Sequence, residues 1–204
     1  MLVYLVRHGE TAYNRGGLGL GRADAALTPF GERQAAALGA RLATTGIDRI
    51  YSSPLSRCLV TAGHVRNERE IPLHPRDELL ELDVGETEGL AFAEMRERYG
   101  DFIRAWAGPE GIDAQMPGGE SLRDLDARLQ PFVEHLLGSG DEVVAVISHN
   151  FVTRVLLTRL LGLELPMFRS LNVDLASLTS ITIRDKRTVI RTLNDCCHLH
   201  GLEP

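Results

Sequence analysis

Leu2-Val3-Tyr4-Leu5-Val6-Arg7-His8-Gly9-Glu10-Thr11 is the stretch around which the chain is organised. Its first five residues are apolar or aromatic, as in a short strand buried on both faces of a parallel or mixed sheet. Arg7 and His8 follow at the carboxyl end of that strand, where open α/β sheets place their ligand sites. Gly9 lets a ligand or a second backbone segment come close. The stretch predicts an anion site centred on a histidine, although ordinary polar residues at a strand end are the alternative.

The composition of the chain limits the classes of protein to which it can belong. The chain has 204 residues with a formal net charge of -6, which suits one domain over 1–204 and disfavours a nucleic-acid partner. We expect no membrane span, since no apolar run approaches the roughly 20 residues needed. The amino terminus lacks the pattern of a signal peptide. Three cysteines, Cys58, Cys196 and Cys197, form no disulfide framework, so we expect a cytoplasmic protein.

Strand and helix patterns alternate along most of the chain. Thr28-Pro29 and Ser53-Pro54 each predict a helix start, and the second helix carries Arg57. A helix is predicted from Ala91 towards Ala107, weakened at Gly100, with an aromatic stripe that is typical of a core face. A second buried strand, Val143 to Ser148, ends at His149. The pattern predicts an α/β fold with helices on both faces of a mostly parallel central sheet.

The end of the chain departs from this alternation. Leu178 to Ile183 and Thr188 to Leu193 predict a hairpin across Arg184-Asp185-Lys186-Arg187, so at least one strand runs antiparallel.

Two buried strands that both end in a histidine form the main functional signal. If they are parallel neighbours, His8 and His149 meet in one crevice at the same sheet edge. Arg7 lies beside the first histidine, and Arg57 arrives on a helix that follows another strand. Glu81 can enter from an extended segment in which Leu80, Leu82 and Val84 alternate with carboxylates.

Two chemistries could use this set. A metal site would take His8, His149, Glu81 and Asp83 as ligands. Permanent cations beside a divalent metal are repulsive, so the arginines argue against it. Covalent phosphoryl transfer gives every member a role. Arginines grip phosphate oxygens, a neutral imidazole attacks phosphorus, and a carboxylic acid protonates the leaving oxygen.

The ordered motifs resemble the histidine phosphatase superfamily, which is also called phosphoglycerate mutase-like. The resemblance covers essentially the whole chain and implies the three-layer sandwich of that family. It is carried by Leu5 to Thr11, Ser52 to Arg57, Leu80 to Gly89, Pro117 to Ser121, Val146 to His149, and Leu193-Asn194-Asp195 with His198.

Residue by residue, the resemblance implies the following roles. His8 is the nucleophile that becomes phosphohistidine, held in one tautomer by a hydrogen bond to backbone near Gly9. Glu81 is the general acid and then the base that activates water. The phosphoryl group is bound by Arg7, Asn14, Arg57 and His149. No metal and no cofactor are implied, because the arginines supply the positive charge.

The resemblance also bears on the branch of the family. The acid motif and the short chain favour a phosphatase of small phosphate esters over a phosphoglycerate mutase. The ending resembles phosphoserine phosphatases, but Val84 stands where those have a recognition histidine, and Asn150 follows His149 where glycine or threonine is usual. A non-catalytic phosphate-binding protein is the third alternative. Related proteins make a homodimer conceivable, which the sequence alone does not show.

Overall fold

The computed structural model describes residues 1–109, 111–185 and 187–204. Its sheet has six strands in the order β3-β2-β4-β1-β5-β6. Strands β3, β2, β4 and β1 run parallel, whereas β5 and β6 pair antiparallel as the predicted hairpin; Lys186 of its turn lies outside the described residues. The strands are β1 (Leu2–Arg7), β2 (Arg49–Ser52), β3 (Leu73–Pro75), β4 (Val143–Ser148), β5 (Leu178–Arg184) and β6 (Arg187–Asp195).

Helices cover both faces of this sheet. They are α1 (Ala12–Gly16), α2 (Pro29–Leu42), α3 (Ser56–Arg66), α4 (Phe92–Arg98), α5 (Gly100–Ala107), α6 (Leu122–Gly138) and α7 (Asn150–Leu161). Successive side chains of a strand point to opposite faces. Val144 and Val146 of β4 therefore pack in one core with α6 and α7, while Ala145 and Ile147 pack in a second core with α2 and α3. The three-layer α/β sandwich expected from the sequence is confirmed.

Parallel pairing of the two central strands sets the place of the site. Arg7 at the end of β1 lies opposite Ser148 at the end of β4. His8 and His149 are the next residues of each strand, so both leave the sheet at the same edge. The expectation that these strands are parallel neighbours is confirmed, and the crevice lies beyond their carboxyl ends.

Two helix predictions are wrong in detail. Helix α3 begins at Ser56, because Ser53 bonds the His149 ring and the first turn of α3 is capped from elsewhere: Asp24 accepts the Ser56 amide at 2.7 Å. The helix predicted from Ala91 to Ala107 is two helices, which meet beside the weak point expected at Gly100, since Tyr99 leaves helical geometry at φ -126° and ψ 41°.

The aromatic stripe of that segment is only in part the core face that its spacing predicts. Phe92 is 59% exposed, and Phe102 and Trp106 are only partly buried against the core. Within the described ranges, no helix combines the length and the apolar character that crossing a bilayer requires.

Candidate active site

His8 is buried directly after β1, and its ring is held in one tautomer. Its Nδ1 lies 2.7 Å from the carbonyl oxygen of Gly9, so Nδ1 carries the proton and donates it. The other nitrogen, Nε2, then keeps a free lone pair. Burial lowers the pKa of His8 well below its usual value, and the charges of Arg7 and Arg57 lower it further. His8 is therefore a neutral imidazole whose Nε2 can act as a nucleophile.

Gly9 is required by a close approach of two backbones. A Cβ at this position would lie 2.4 Å from the carbonyl oxygen of Gly31, which is part of α2. The approach brings the segment that follows His8 against the amino-terminal turn of α2. The sequence anticipated a close approach at Gly9, and the partner is backbone.

His149 faces His8, with the two ring centroids 5.2 Å apart. Its Nε2 donates to Ser53 Oγ at 2.8 Å, and its Nδ1 accepts from Arg57 Nε at 3.3 Å. Burial is the main cause that lowers the pKa of His149 well below its usual value, and the charges of His8, Arg57 and Arg7 lower it further. A second neutral imidazole thus lies beside His8.

The two arginines lie beside these rings without a carboxylate within 4 Å, as far as the described residues show. Arg57 is fully buried and donates to the carbonyl oxygens of Ala23 and Gly21, each at 2.7 Å. Arg7 Nη1 donates to the Val173 carbonyl at 2.8 Å. Its Nε is buried with no hydrogen-bond partner in the described chain. Buried donors are almost always paired, so the orphan Arg7 Nε points to an anionic ligand.

Glu81 enters the crevice from the segment between β3 and α4 and is 4% exposed. Its carboxylate accepts from the amides of Leu82 at 2.9 Å, Phe151 at 3.3 Å and Val152 at 3.4 Å. Burial raises the pKa of Glu81 above its usual value, although these amides and the nearby arginines act in the opposite direction. The group is suited to hold a proton and donate it.

A clamp of two side chains fixes the segment that carries Glu81. Arg128 donates to the carbonyl oxygens of Leu80 at 3.0 Å and Glu81 at 3.2 Å. Glu120 pairs with Arg128 and accepts the Asp83 amide at 3.1 Å. Glu120 belongs to the Pro-Gly-Gly-Glu-Ser motif, so the clamp gives this motif a positioning role.

Two candidates from the sequence remain, Asn14 and Asp83. Asn14 Oδ1 accepts from the Thr11 amide at 3.0 Å, which leaves its Nδ2 as a donor. Asp83 is turned to Arg22, with 3.3 Å between Asp83 Oδ2 and Arg22 Nη1, so the four ligands of the metal hypothesis do not converge. No group of three or more potential metal ligands is formed by the residues that the structure describes.

Two residues have contacts that the sequence alone does not give. Ser53 lies in the motif that runs from Ser52 to Arg57, but its Ser-Pro pattern predicts a helix cap, whereas its side chain bonds the His149 ring. His198 belongs to the carboxyl-terminal motif, and its ring bonds the Ala176 carbonyl at 3.0 Å. The Ala176 amide in turn donates to the His8 carbonyl at 3.0 Å.

The geometry thus combines two arginines that can bind an anion, a neutral imidazole that can act as a nucleophile, and a buried carboxyl group. A profile of the histidine phosphatase superfamily (branch 1) matches residues 3–196. Phosphoserine phosphatase 1 of Hydrogenobacter thermophilus is 34% identical over 196 residues, covering 96% of this chain and 92% of that protein. A 2,3-bisphosphoglycerate-dependent phosphoglycerate mutase of Brucella melitensis is 37% identical over 168 residues, covering 78% of this chain and 81% of that protein.

Solved structures give the same result. The α-ribazole phosphatase of Shigella flexneri superposes with a TM-score of 0.89 at 29% identity, over 96% of each chain. The profile match spans nearly the whole chain, and the motifs that carry the family resemblance lie around one crevice. The chain therefore belongs to the histidine phosphatase superfamily, branch 1.

Proposed function

We propose that this protein hydrolyses phosphate monoesters of small metabolites without a metal ion, through a phosphohistidine at His8. The family, together with relatives that are named as phosphatases, supports a phosphoric monoester hydrolase. The single observation that carries the mechanism is the tautomer of His8. The hydrogen bond from Nδ1 to Gly9 leaves the Nε2 lone pair available between two arginines.

In the first step, Nε2 of His8 attacks phosphorus and the bond between phosphorus and the ester oxygen breaks. The leaving oxygen takes the proton of Glu81, so an alcohol departs and Glu81 becomes a carboxylate. Arg7, Arg57 and the amide of Asn14 stabilise the charge that develops on the transferring oxygens. The bound phosphate adds negative charge, which favours the protonated form of Glu81 at the start.

In the second step, the Glu81 carboxylate takes a proton from water. The resulting oxygen attacks the phosphohistidine, the bond between phosphorus and nitrogen breaks, and inorganic phosphate is released. His8 returns to its neutral form, and Glu81 is again protonated. Each group is restored, so the cycle needs no co-reactant besides water.

Hydrolysis of p-nitrophenyl phosphate in excess EDTA tests this mechanism, with the wild type and His8→Ala measured side by side. We expect activity that survives EDTA and is lost in the variant. Activity that EDTA abolishes would overturn the metal-free route. A phosphoenzyme that is labile in acid should be trapped in the wild type alone when the reaction with labelled substrate is quenched in alkaline denaturant.

Mutase activity is the second candidate, favoured by the 37% identity to the Brucella mutase. A mutase keeps the phosphoryl group and returns it to another oxygen of its substrate. Incubation with 3-phosphoglycerate and a trace of 2,3-bisphosphoglycerate, which phosphorylates a mutase, separates the two: a phosphatase releases inorganic phosphate, and a mutase releases 2-phosphoglycerate. We expect phosphate.

The identity of the physiological substrate is the more specific part of the proposal. The relatives are named for phosphoserine and α-ribazole phosphate, and these substrates head a screen of phosphate esters. A cytoplasmic location and a homodimer are also proposals. Cell fractionation and light scattering of the purified protein test them.

A further inference from the structure

Arg154 lies on α7 one turn after Phe151, whose amide donates to Glu81 at 3.3 Å. Residues three apart on a helix lie on the same face. The Arg154 guanidinium carbon is 6.0 Å from the centre of the Phe151 ring and 4.9 Å from that of Phe168. Arg154 thus stands at the wall of the crevice, on the side of the catalytic acid.

The hydrogen bonds of Arg154 leave most of its donors unused. Its Nε donates to the Phe168 carbonyl at 3.0 Å, which fixes the plane of the guanidinium group. Among residues 1–109, 111–185 and 187–204, neither terminal nitrogen has a hydrogen-bond partner or a carboxylate within 4 Å. Neither of these nitrogens is fully buried. The side chain is only half-buried, so these two nitrogens are accessible to a small solute.

A second cation lies close to Arg154. The guanidinium carbon of Arg169 is 5.0 Å from the centre of the same Phe168 ring. Burial lowers the pKa of Arg154, and the like charge of Arg169 lowers it further, whereas Glu81 acts in the opposite direction. Burial is also the main cause that lowers the pKa of Arg7, and Arg154 contributes to it. The positive charge of this wall is therefore continuous with that of the phosphate site.

The charges around the site show which cations a bound phosphate offsets. A phosphate monoester carries up to two negative charges, which the guanidinium groups of Arg7 and Arg57 match. Glu81 is neutral in the form that starts the reaction. Asp174 acts on Arg7 as a negative charge, and Asn172 and Asn194 hydrogen-bond its carboxylate without cancelling that charge. Neither Arg154 nor Arg169 has a carboxylate within 4 Å among the described residues, so this pair can bind a further anionic group.

We propose that Arg154 binds a second anionic group of the substrate, so that the enzyme prefers phosphate esters that also carry a carboxylate or a second phosphate. The planar guanidinium fork suits two-point hydrogen bonding to such a group. This inference rests on the proposed phosphatase function and adds the substrate class. Arg154 acts as a specificity residue, because it contacts the part of the substrate that does not react.

The first test compares two substrates that differ at one carbon. 3-Phosphoglycerate carries a carboxylate where glycerol 3-phosphate carries a hydroxymethyl group. We expect kcat/KM of the wild type to be about 10- to 100-fold higher for 3-phosphoglycerate, the range for a charge-assisted hydrogen bond. Fructose 1,6-bisphosphate against fructose 6-phosphate shows whether a second phosphate serves as well. Equal kcat/KM values within both pairs would overturn the proposal.

The second test assigns the preference to Arg154. Arg154→Met keeps the apolar stem on the Phe168 ring and removes the charge, and we expect it to abolish most of the preference between the paired substrates. Arg154→Lys should restore part of it. Arg159→Met is the matched control, because Arg159 lies on the same helix but pairs with Asp126 at 2.7 Å. The control should keep the full preference, and an unchanged preference in Arg154→Met would overturn the assignment.

Failure of this inference is distinguishable from failure of the proposed function. p-Nitrophenyl phosphate has no second anionic group, so its hydrolysis reports on the reaction itself. Hydrolysis of this ester without any preference within the substrate pairs rejects the role of Arg154 alone. The wild-type comparison needs no variant, so it decides the proposal even if Arg154→Met does not fold.

Discussion

Asn194 holds Asp174 by two hydrogen bonds across 20 residues of sequence. Its Oδ1 accepts from the Asp174 amide at 2.7 Å, and its Nδ2 donates to the Asp174 carboxylate at 2.7 Å. Asp174 follows Val173, whose carbonyl oxygen accepts from Arg7. The carboxyl-terminal segment therefore supports the loop that orients Arg7, an arginine of the proposed phosphate site.

Asn194→Gly should raise KM for phosphate esters more than it lowers kcat, because Arg7 loses part of its support. Asn194 has a φ of 53°, which glycine adopts without strain. Asn194→Ala loses the same bonds and adds backbone strain, so its melting temperature should be lower than that of the glycine variant. Steady-state kinetics and thermal melts of both variants check this, and wild-type KM values in both would contradict it.

Glu81→Gln should slow the hydrolysis of alkyl phosphates far more than the release of p-nitrophenolate from p-nitrophenyl phosphate. An alkoxide needs a proton to leave, whereas p-nitrophenolate leaves without one. We expect a loss of about 10²- to 10⁴-fold in kcat/KM for glycerol 3-phosphate. With p-nitrophenyl phosphate, stopped-flow absorbance should show a burst followed by slow turnover, since water attack has lost its base. Equal losses on both esters would show that Glu81 is not the acid.

The two buried histidines should make the protein less stable in acid. The unfolded chain takes up protons at His8 and His149 below about pH 6.5, while burial keeps both neutral in the folded state. The free energy of unfolding therefore falls as the pH drops below about 6.5, by up to about 1.4 kcal/mol per pH unit for each histidine.

Glu81 has the opposite effect on stability. Its pKa is raised in the folded state, so its contribution is complete below the unfolded value of about 4.3 and is lost as the pH rises through the folded value. Urea unfolding between pH 5 and pH 7, a range of about two units, should show a smaller slope in His149→Gln and a steeper one in Glu81→Gln. Three equal slopes would contradict both assignments.

Gly9→Ala should destabilise the protein strongly, since its Cβ would lie 2.4 Å from the Gly31 carbonyl oxygen and backbone would have to move. Gly63→Ala is the matched control. Gly63 is exposed inside α3 with open space around its Cβ, so alanine should stabilise that helix by about 0.5–1 kcal/mol. Thermal melts should shift in opposite directions, and a neutral Gly9→Ala would show that the two backbones can separate.

The central strands and the histidines that end them could be predicted from the sequence, because strand patterns and motif order depend on residues that are close along the chain. The same signals indicated Arg57 and Glu81. The start of α3 could not be predicted, because the first amide of the helix, that of Ser56, is bonded by Asp24, which lies 32 residues earlier and reaches it only in the folded chain. The aromatic residues of α4 and α5 have a helical spacing, but their exposure depends on what packs against them.

By itself, the sequence determined the alternation of strands and helices, the pairing of Arg7 with His8 at a strand end, and the ordered motifs of the family. Tertiary structure alone decided how Ser53 meets His149, which lies 96 residues away, and how Arg154 comes to stand beside the segment that bonds the acid. The physical reason is that periodicity and capping are encoded by near neighbours. Contacts between distant segments depend on how the layers pack and on which polar groups that packing leaves without partners.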